Sequence, residues 1–308
     1  MKTAVIDTGG GLRGIYGAGV FDCCIENSVS FSHCIGISAG SANAASFLAG
    51  QKGRNYRFYT DYSMRREYMS VGNLVKNHSY LNLDYIYGEL SNTGGEDPLD
   101  FDAIMNNPSE YTVVATDAQT GAAKYFTKDD LSRDDYAILK ASCCIPGVCR
   151  AYEIDDRFYY DGGVSDPVPI EYAFSQGADK VVLILTKPVE TEDSFEMEKM
   201  CASLLHRRFP NISSALLKRE EKYRNGIALA KKLEAEQKLL IVAPGNIGKL
   251  KTLTKDKAML TELYMQGKKD AQAIADFIRV TQNEPTQCSS HSSARALQQN
   301  SIANRAAF

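Results

Sequence analysis

Gly36-Ile37-Ser38-Ala39-Gly40 spells G-x-S-x-G directly after one apolar burst and before a stretch rich in Ala and Ser. In that setting a serine is held on a sharp strand-to-helix turn, with its hydroxyl exposed at the helix N-terminus. Bulky side chains two positions either side would collide with the strand and the helix, which is why Gly36 and Gly40 suit their places. The same letters also fit a glycine-rich helix start with Ser38 as its N-cap. A serine hydroxyl is a weak nucleophile until a base takes its proton. The four histidines are His33, His78, His206 and His291, and the surroundings of each suit a surface or core imidazole better than a catalytic one. An aspartate can serve instead when its carboxylate is held against the hydroxyl in a partly desolvated pocket. Asp161-Gly162-Gly163 follows the strand-like residues 157–160, and its glycines permit a tight turn that presents the carboxylate unobstructed. Hairpin turns use the same letters.

Gly9-Gly10-Gly11-Leu12-Arg13-Gly14 separates the first apolar burst from the first helical pattern. Glycines let the backbone turn its N–H groups toward negative charge. One candidate charge is the oxyanion of a tetrahedral acyl intermediate. The other is a pyrophosphate, because these residues also satisfy G-x-G-x-x-G after a strand. A dinucleotide-binding oxidoreductase needs an acidic residue at the end of the next strand for the ribose hydroxyls. Here that strand ends in Gly36-Ile37-Ser38, which favours acyl transfer.

The elements that must position these residues read as α/β. Residues 3–7 and 32–37 are strand-like, with a helical pattern over 15–27 between them, giving a βαβ unit. Further strands are expected at 111–116, 123–127 and 180–186, and again at about 237–243. The continuous apolar run at 180–186 is typical of a parallel strand buried on both faces. Helices are expected at 131–142 and 169–176, with right-handed crossovers. Residues 190–198 carry five acids and no base, whereas 207–232 carry eight bases against two acids and read as a helical insertion. That basic stretch suits a solvated face or a surface for anionic head groups. From Glu284 onward Ser, Gln, Asn and Ala dominate without periodicity, so a loosely held tail is expected.

Taken together, the chain resembles the patatin-like phospholipases. The likeness rests on the Gly9–Gly14 loop, the Gly36–Gly40 elbow and the Asp161-Gly162-Gly163 turn, in that order. It extends to Ala115-Thr116-Asp117-Ala118-Gln119-Thr120-Gly121, Ala141-Ser142-Cys143-Cys144-Ile145-Pro146-Gly147 and Val164-Ser165-Asp166-Pro167-Val168-Pro169, covering roughly residues 3–186. The resemblance implies a three-layer α/β/α sandwich with a mostly parallel central sheet and a helical C-terminal extension. It implies a Ser38–Asp161 dyad, an oxyanion hole from the Gly9, Gly10 and Gly11 amides, and a supporting part for Arg13, Gly36, Gly40, Gly162 and Gly163. The implied activity is hydrolysis of a phospholipid or other fatty-acyl ester, of phospholipase A, lysophospholipase or carboxylesterase type, with no metal and no cofactor. A non-catalytic lipid-binding relative would retain the same motifs. The family's acidic position just before the three glycines is occupied by Thr8, with Asp7 one residue earlier. Arg13 matches the family arginine, which either fixes the loop, adds positive potential near the substrate, or forms a surface salt bridge.

On this reading residues 1–190 form the catalytic α/β domain, 191–283 a helix-rich extension and cap with a late strand, and 284–308 the tail. Composition agrees with a folded, soluble protein: of 308 residues 44% are hydrophobic and 24% charged. Thirty-five Lys and Arg against 38 Asp and Glu leave a net charge of −3, which argues against nucleic-acid binding. Eight cysteines include the adjacent pairs Cys23/Cys24 and Cys143/Cys144, and no C-x-x-C or zinc spacing occurs, so buried thiols in a reducing compartment are expected. With no signal peptide and no membrane span in the sequence, a cytoplasmic protein making transient peripheral membrane contact is the expectation. Residues 54–68 interleave Arg54, Arg57, Arg65 and Arg66 with five aromatics. That composition fits a lipid interface or lid, and equally a packed surface helix.

Overall fold

The computed structural model describes residues 1–191 and 195–279. The tail expected from Glu284 and His291 lie outside the described residues. The chain opens with β1 (Thr3–Asp7), α1 (Ile15–Glu26), β2 (His33–Ile37) and α2 (Ala39–Leu48). Three short helices follow, α3 (Arg54–Thr60), α4 (Val71–Asn77) and α5 (Phe101–Asn106). Then come β3 (Glu110–Asp117), β4 (Ala123–Thr127), α6 (Ala137–Ser142), β5 (Tyr152–Ile154), β6 (Arg157–Asp161), α7 (Ile170–Ser175) and β7 (Lys180–Ile184). The remainder comprises α8 (Glu196–Leu205), α9 (Pro210–Ala235), β8 (Leu239–Val242), α10 (Lys257–Asp270) and α11 (Gln272–Arg279).

All eight strands form one sheet in the order β5-β6-β3-β2-β1-β7-β8, with β4 on β3 off this path. β3, β2, β1, β7 and β8 run parallel, while β4, β5 and β6 are antiparallel additions. β1, β2 and β7 are buried at every residue, as strands covered on both faces must be. Their apolar content therefore reads as continuous runs. Two core clusters lie on opposite faces of this sheet: in β1, Val5 belongs to one, and Ala4 and Ile6 to the other. The fold is a three-layer α/β/α sandwich with a mostly parallel centre and further helices after β7.

The register explains why the site forms where it does. Ile37 pairs with Val114 and Ala115 pairs with Asp161, so the end of β2 and the end of β6 reach the same level on either side of β3. The carboxyl ends of parallel strands are the general location of sites in such sheets.

Two expectations change. The helix expected over 131–142 is helical only in α6, because Ser132 and Asp135 bridge across a turn with Asp134 at φ 58°. β5 has no counterpart in the sequence reading. It is the first arm of a hairpin whose turn residues Asp155 and Asp156 take φ 50° and 61°. The seven described cysteines are buried free thiols.

Candidate active site

Ser38 sits between β2 and α2 with φ 54° and ψ −133°, a conformation that L-residues avoid unless the surroundings enforce it. What enforces it is the close approach of three backbones. A Cβ on Gly36 would lie 2.3 Å from the Ser41 Cα, and one on Gly40 would lie 2.2 Å from the Asp7 carbonyl oxygen. Both glycines are thus sterically required, the second because α2 starts directly against β1. The Ser38 N–H donates to Ser142 Oγ at 2.9 Å, and that hydroxyl donates onward to the Val114 carbonyl at 2.6 Å. The end of α6 is thereby tied to the elbow.

Asp161 closes β6 and is buried. Its Oδ1 accepts the Gly163 N–H at 2.8 Å, and its own N–H donates to the Cys144 carbonyl at 2.9 Å. The Ser38 hydroxyl lies near enough to this carboxylate to favour its ionised form. Burial pushes the Asp161 carboxyl above its ordinary range, while hydrogen bonds from Ser38 and Gly163 and the charge of Arg219 oppose the rise. A carboxylate so placed is a better proton acceptor than one in water.

The glycine loop departs from expectation at Gly9. Its N–H donates to Asp7 Oδ1 at 2.9 Å, so it is turned away from any developing oxyanion. Among the described residues, the Gly10 and Gly11 amides have no hydrogen-bond partner, and neither has Ala39, the first amide of α2. The amides open to an incoming anion are therefore those of Gly10, Gly11 and Ala39, while that of Gly9 is occupied. Asp7 occupies the structural place that Thr8 leaves open: fully buried, it accepts from Gly9 and from Asn43 Nδ2 at 2.8 Å. Burial lifts its carboxyl to about 6. From the other side, the Leu12 N–H donates to the Thr252 carbonyl at 2.7 Å, fastening the loop to the C-terminal segment.

Arg13 forms no ion pair among the described residues, which removes the salt-bridge reading. Its half-buried guanidinium lies near Tyr223 and Arg219, and burial lowers its proton affinity. Arg219, from α9, donates from Nε to the Gly163 carbonyl at 2.8 Å and pairs with Glu198 at 2.6 Å. Lys222 donates to the Ser165 carbonyl at 2.6 Å. The turn that presents Asp161 is thus braced by two cations of the basic helix. Sequence reasoning did not single out Ser142, Arg219 or Lys222; Ser142 lay unremarked inside a family-like segment.

An apolar cavity opens beside Ser38, bounded by Leu12, Phe58, Tyr68, Met69, Ile86 and Cys143 among others. No histidine lines it. His33 stands at the opposite end of β2, buried and hydrogen-bonded to Thr112 Oγ1 at 2.8 Å. Of residues 54–68, Arg54, Asn55, Phe58, Tyr59, Ser63 and Tyr68 line the cavity, while Arg57, Asp61, Arg66 and Glu67 are exposed. Arg54 is buried on Ser46, Ser91 and the Asp97 carbonyl, while Arg57 grips Asp97 and Arg65 grips Glu96, each through two hydrogen bonds. Among the described residues no helix is long and apolar enough to cross a membrane, and no group of three or more His, Cys, Asp or Glu could hold a metal ion.

Several known proteins are similar to parts of this chain. The Escherichia coli (strain K12) protein YjjU, uncharacterized, is 29% identical over 192 residues, covering 61% of this chain and 52% of the relative. The uncharacterized NTE family protein Mb1092c of Mycobacterium bovis is 32% identical over 114 residues, 37% of this chain and 31% of the relative. The chain thus spans about half the length of the first relative and about a third of the second. The crystal structure of VipD from Legionella pneumophila superimposes with a TM-score of 0.47 at 14% identity, covering 89% of this chain and 67% of that one. A domain of unknown function (DUF6363) matches residues 209–279. The patatin-like phospholipase model matches residues 8–174, more than half of the chain, and the protein belongs to the patatin-like phospholipase family.

Proposed function

We propose that the chain is a serine lipid acyl hydrolase of phospholipase A, lysophospholipase or carboxylesterase type, working through a Ser38–Asp161 dyad. The observation that carries this reading is the convergence at one sheet edge of a strained serine, a buried carboxylate within its reach, and backbone amides left without partners. Asp161 takes the Ser38 proton as the oxygen attacks the ester carbonyl. The Gly10, Gly11 and Ala39 amides stabilise the oxyanion, since donors fixed in advance need no reorganisation as charge develops. The alcohol leaves with the proton returned by Asp161. Water, deprotonated by the same carboxylate, then releases the fatty acid and restores Ser38.

In this reading the apolar cavity receives the acyl chain, residues 1–190 carry the chemistry, and Arg219, Lys222 and Thr252 of the later segment brace the Asp161 turn and the glycine loop. The end of β2 presents Ser38 where a dinucleotide site needs an acid, so no observation favours the oxidoreductase alternative. The test is labelling by a fluorophosphonate probe together with hydrolysis of a short nitrophenyl ester. Both are expected in the native chain and lost in Ser38→Ala, with ester hydrolysis also lost in Asp161→Asn. Labelling that persists in Ser38→Ala would falsify the assignment, and a native chain that neither labels nor hydrolyses would mark a non-catalytic lipid-binding relative.

A further inference from the structure

α4 buries none of its residues. Its apolar side chains Val71, Leu74 and Val75 fall at i, i+3 and i+4, a single stripe along the helix. Such a stripe ordinarily faces a core. Here the three are 69%, 46% and 76% exposed.

The stripe is carried on a fixed base. Met69 and Leu81 pair as an antiparallel bridge beneath the helix. The Tyr80 N–H donates to the Val148 carbonyl at 2.8 Å, and the Arg150 N–H to Ser79 Oγ at 3.0 Å. Met69 and Leu81, together with Ile145 of the adjoining loop, also line the Ser38 cavity. The projecting helix therefore stands on the cavity's own wall.

α8 reaches the same loop, through Cys201 against the Pro146 carbonyl. It too leaves an apolar face open, with Met197, Met200 and Leu204 exposed. Around α4 the charge has one dominant sign, whereas the first turn of α8 carries Glu196 and Glu198, each paired with a cation. Between residues 66 and 78, exposed Arg66 and Lys76 face a single acid, Glu67. Arg150 is exposed beside Ser79, and Lys255 donates to the Met69 carbonyl at 3.3 Å.

We propose that α4, flanked by α8, seats the protein on a lipid surface bearing anionic head groups. The apolar stripe enters the acyl boundary while Arg66, Lys76, Arg150 and Lys255 meet the head groups, the division of labour expected of interfacial helices. The proposal rests on the acyl-hydrolase reading for its purpose, because it places the cavity mouth against the source of acyl chains. A substrate tail then passes from lipid to Leu12, Phe58 and Ile86 without crossing water. Membrane contact belongs to the segment from Arg66 onward, because Arg54, Arg57 and Arg65 are occupied by Asp97 and Glu96.

The test uses the whole chain and the double variant Val71→Ser/Val75→Ser. Sedimentation is measured with vesicles of phosphatidylglycerol and of phosphatidylcholine, in parallel with hydrolysis of a soluble nitrophenyl ester. Neither valine touches the dyad. The expected result is preferential sedimentation of the native chain with phosphatidylglycerol, reduced about tenfold or more in the variant, since even partial burial of two valines is worth this much. Soluble-ester hydrolysis is unchanged. Equal sedimentation of the native chain and the variant, or no sedimentation of the native chain with either vesicle, overturns the proposal. A native chain that sediments as expected but cleaves no ester leaves the surface standing and removes the hydrolase reading, so the two failures are distinct.

Discussion

Arg219 offers the sharpest test of how the C-terminal helix serves the site. A Cβ on Gly163 would lie 3.1 Å from Asp161 Oδ1 and 3.9 Å from Arg219 Nη2, so guanidinium and carboxylate are within about 7 Å of one another. At an effective dielectric of roughly 20, opposite charges at that separation attract by about 2 kcal/mol. Glu198 shares the Arg219 charge and the pair is partly exposed, so about 1 kcal/mol reaches Asp161. The sign follows from the role of the carboxylate. Burial already raises it, the arginine opposes that rise, and a base acts only when ionised. Replacing Arg219 with Met therefore moves the acid limb of kcat/KM to higher pH, lowering activity about fivefold on that limb with little charge effect on the plateau. Loss of the Nε bond to Gly163 loosens the turn as well, and that component lowers the rate at every pH. Arg219→Lys keeps the charge and separates the two. The assay is the pH profile of nitrophenyl ester hydrolysis by the native chain and both variants. An Arg219→Met profile that keeps its acid limb in place, or moves it to lower pH, refutes the reasoning.

Other expectations follow from neighbouring contacts. Ser142→Ala strands the Ser38 N–H and the Val114 carbonyl, costing about 1–3 kcal/mol of stability and lowering kcat more than it changes KM, as read by urea unfolding and steady-state kinetics. Asp7, at about 6 in the fold against 3.8 unfolded, is penalised for ionising. Stability should fall as pH rises from about 4 to about 6, by up to about 3 kcal/mol from this group, and Asp7→Asn should remove its share of that slope in denaturant titrations at the two ends. Arg54→Met leaves Asp97 without one of its two cations and empties a buried network, costing about 3–5 kcal/mol, whereas Arg66→Met on the exposed surface stays within about 0.5 kcal/mol; thermal melts compare them.

The parts of the site written in contiguous letters were legible in the sequence. Ser38 could be read because Gly36 and Gly40 must accompany it, and Asp161 because its glycines follow directly. β1, β2 and β7 were legible because strands buried on both faces cannot hide their apolar runs. What escaped depends on partners distant in the chain. Ser142 meets the Ser38 amide across 104 residues, and Arg219 meets Gly163 across 56. Nothing in their own neighbourhoods encodes these contacts. Gly9 departs from the pattern for a local reason that spacing does not convey: the carboxylate two residues earlier captures its N–H. Three of the four bases of 54–68, Arg54, Arg57 and Arg65, are neutralised by Asp97 and Glu96 from a later loop, which the segment's own letters do not show. The stripe on α4 has the pattern of any core-facing helix, and only its exposure sets it apart.

The Thr252 carbonyl on the glycine loop bears on how activity arises during synthesis. Ser38 and Asp161 leave the ribosome early, but the loop's fastening to Thr252 and the brace from Arg219 are made only by later residues. On the proposed reading, a chain lacking those residues would hold Ser38 and Asp161 without the contacts that fasten the glycine loop and the Gly163 turn around them.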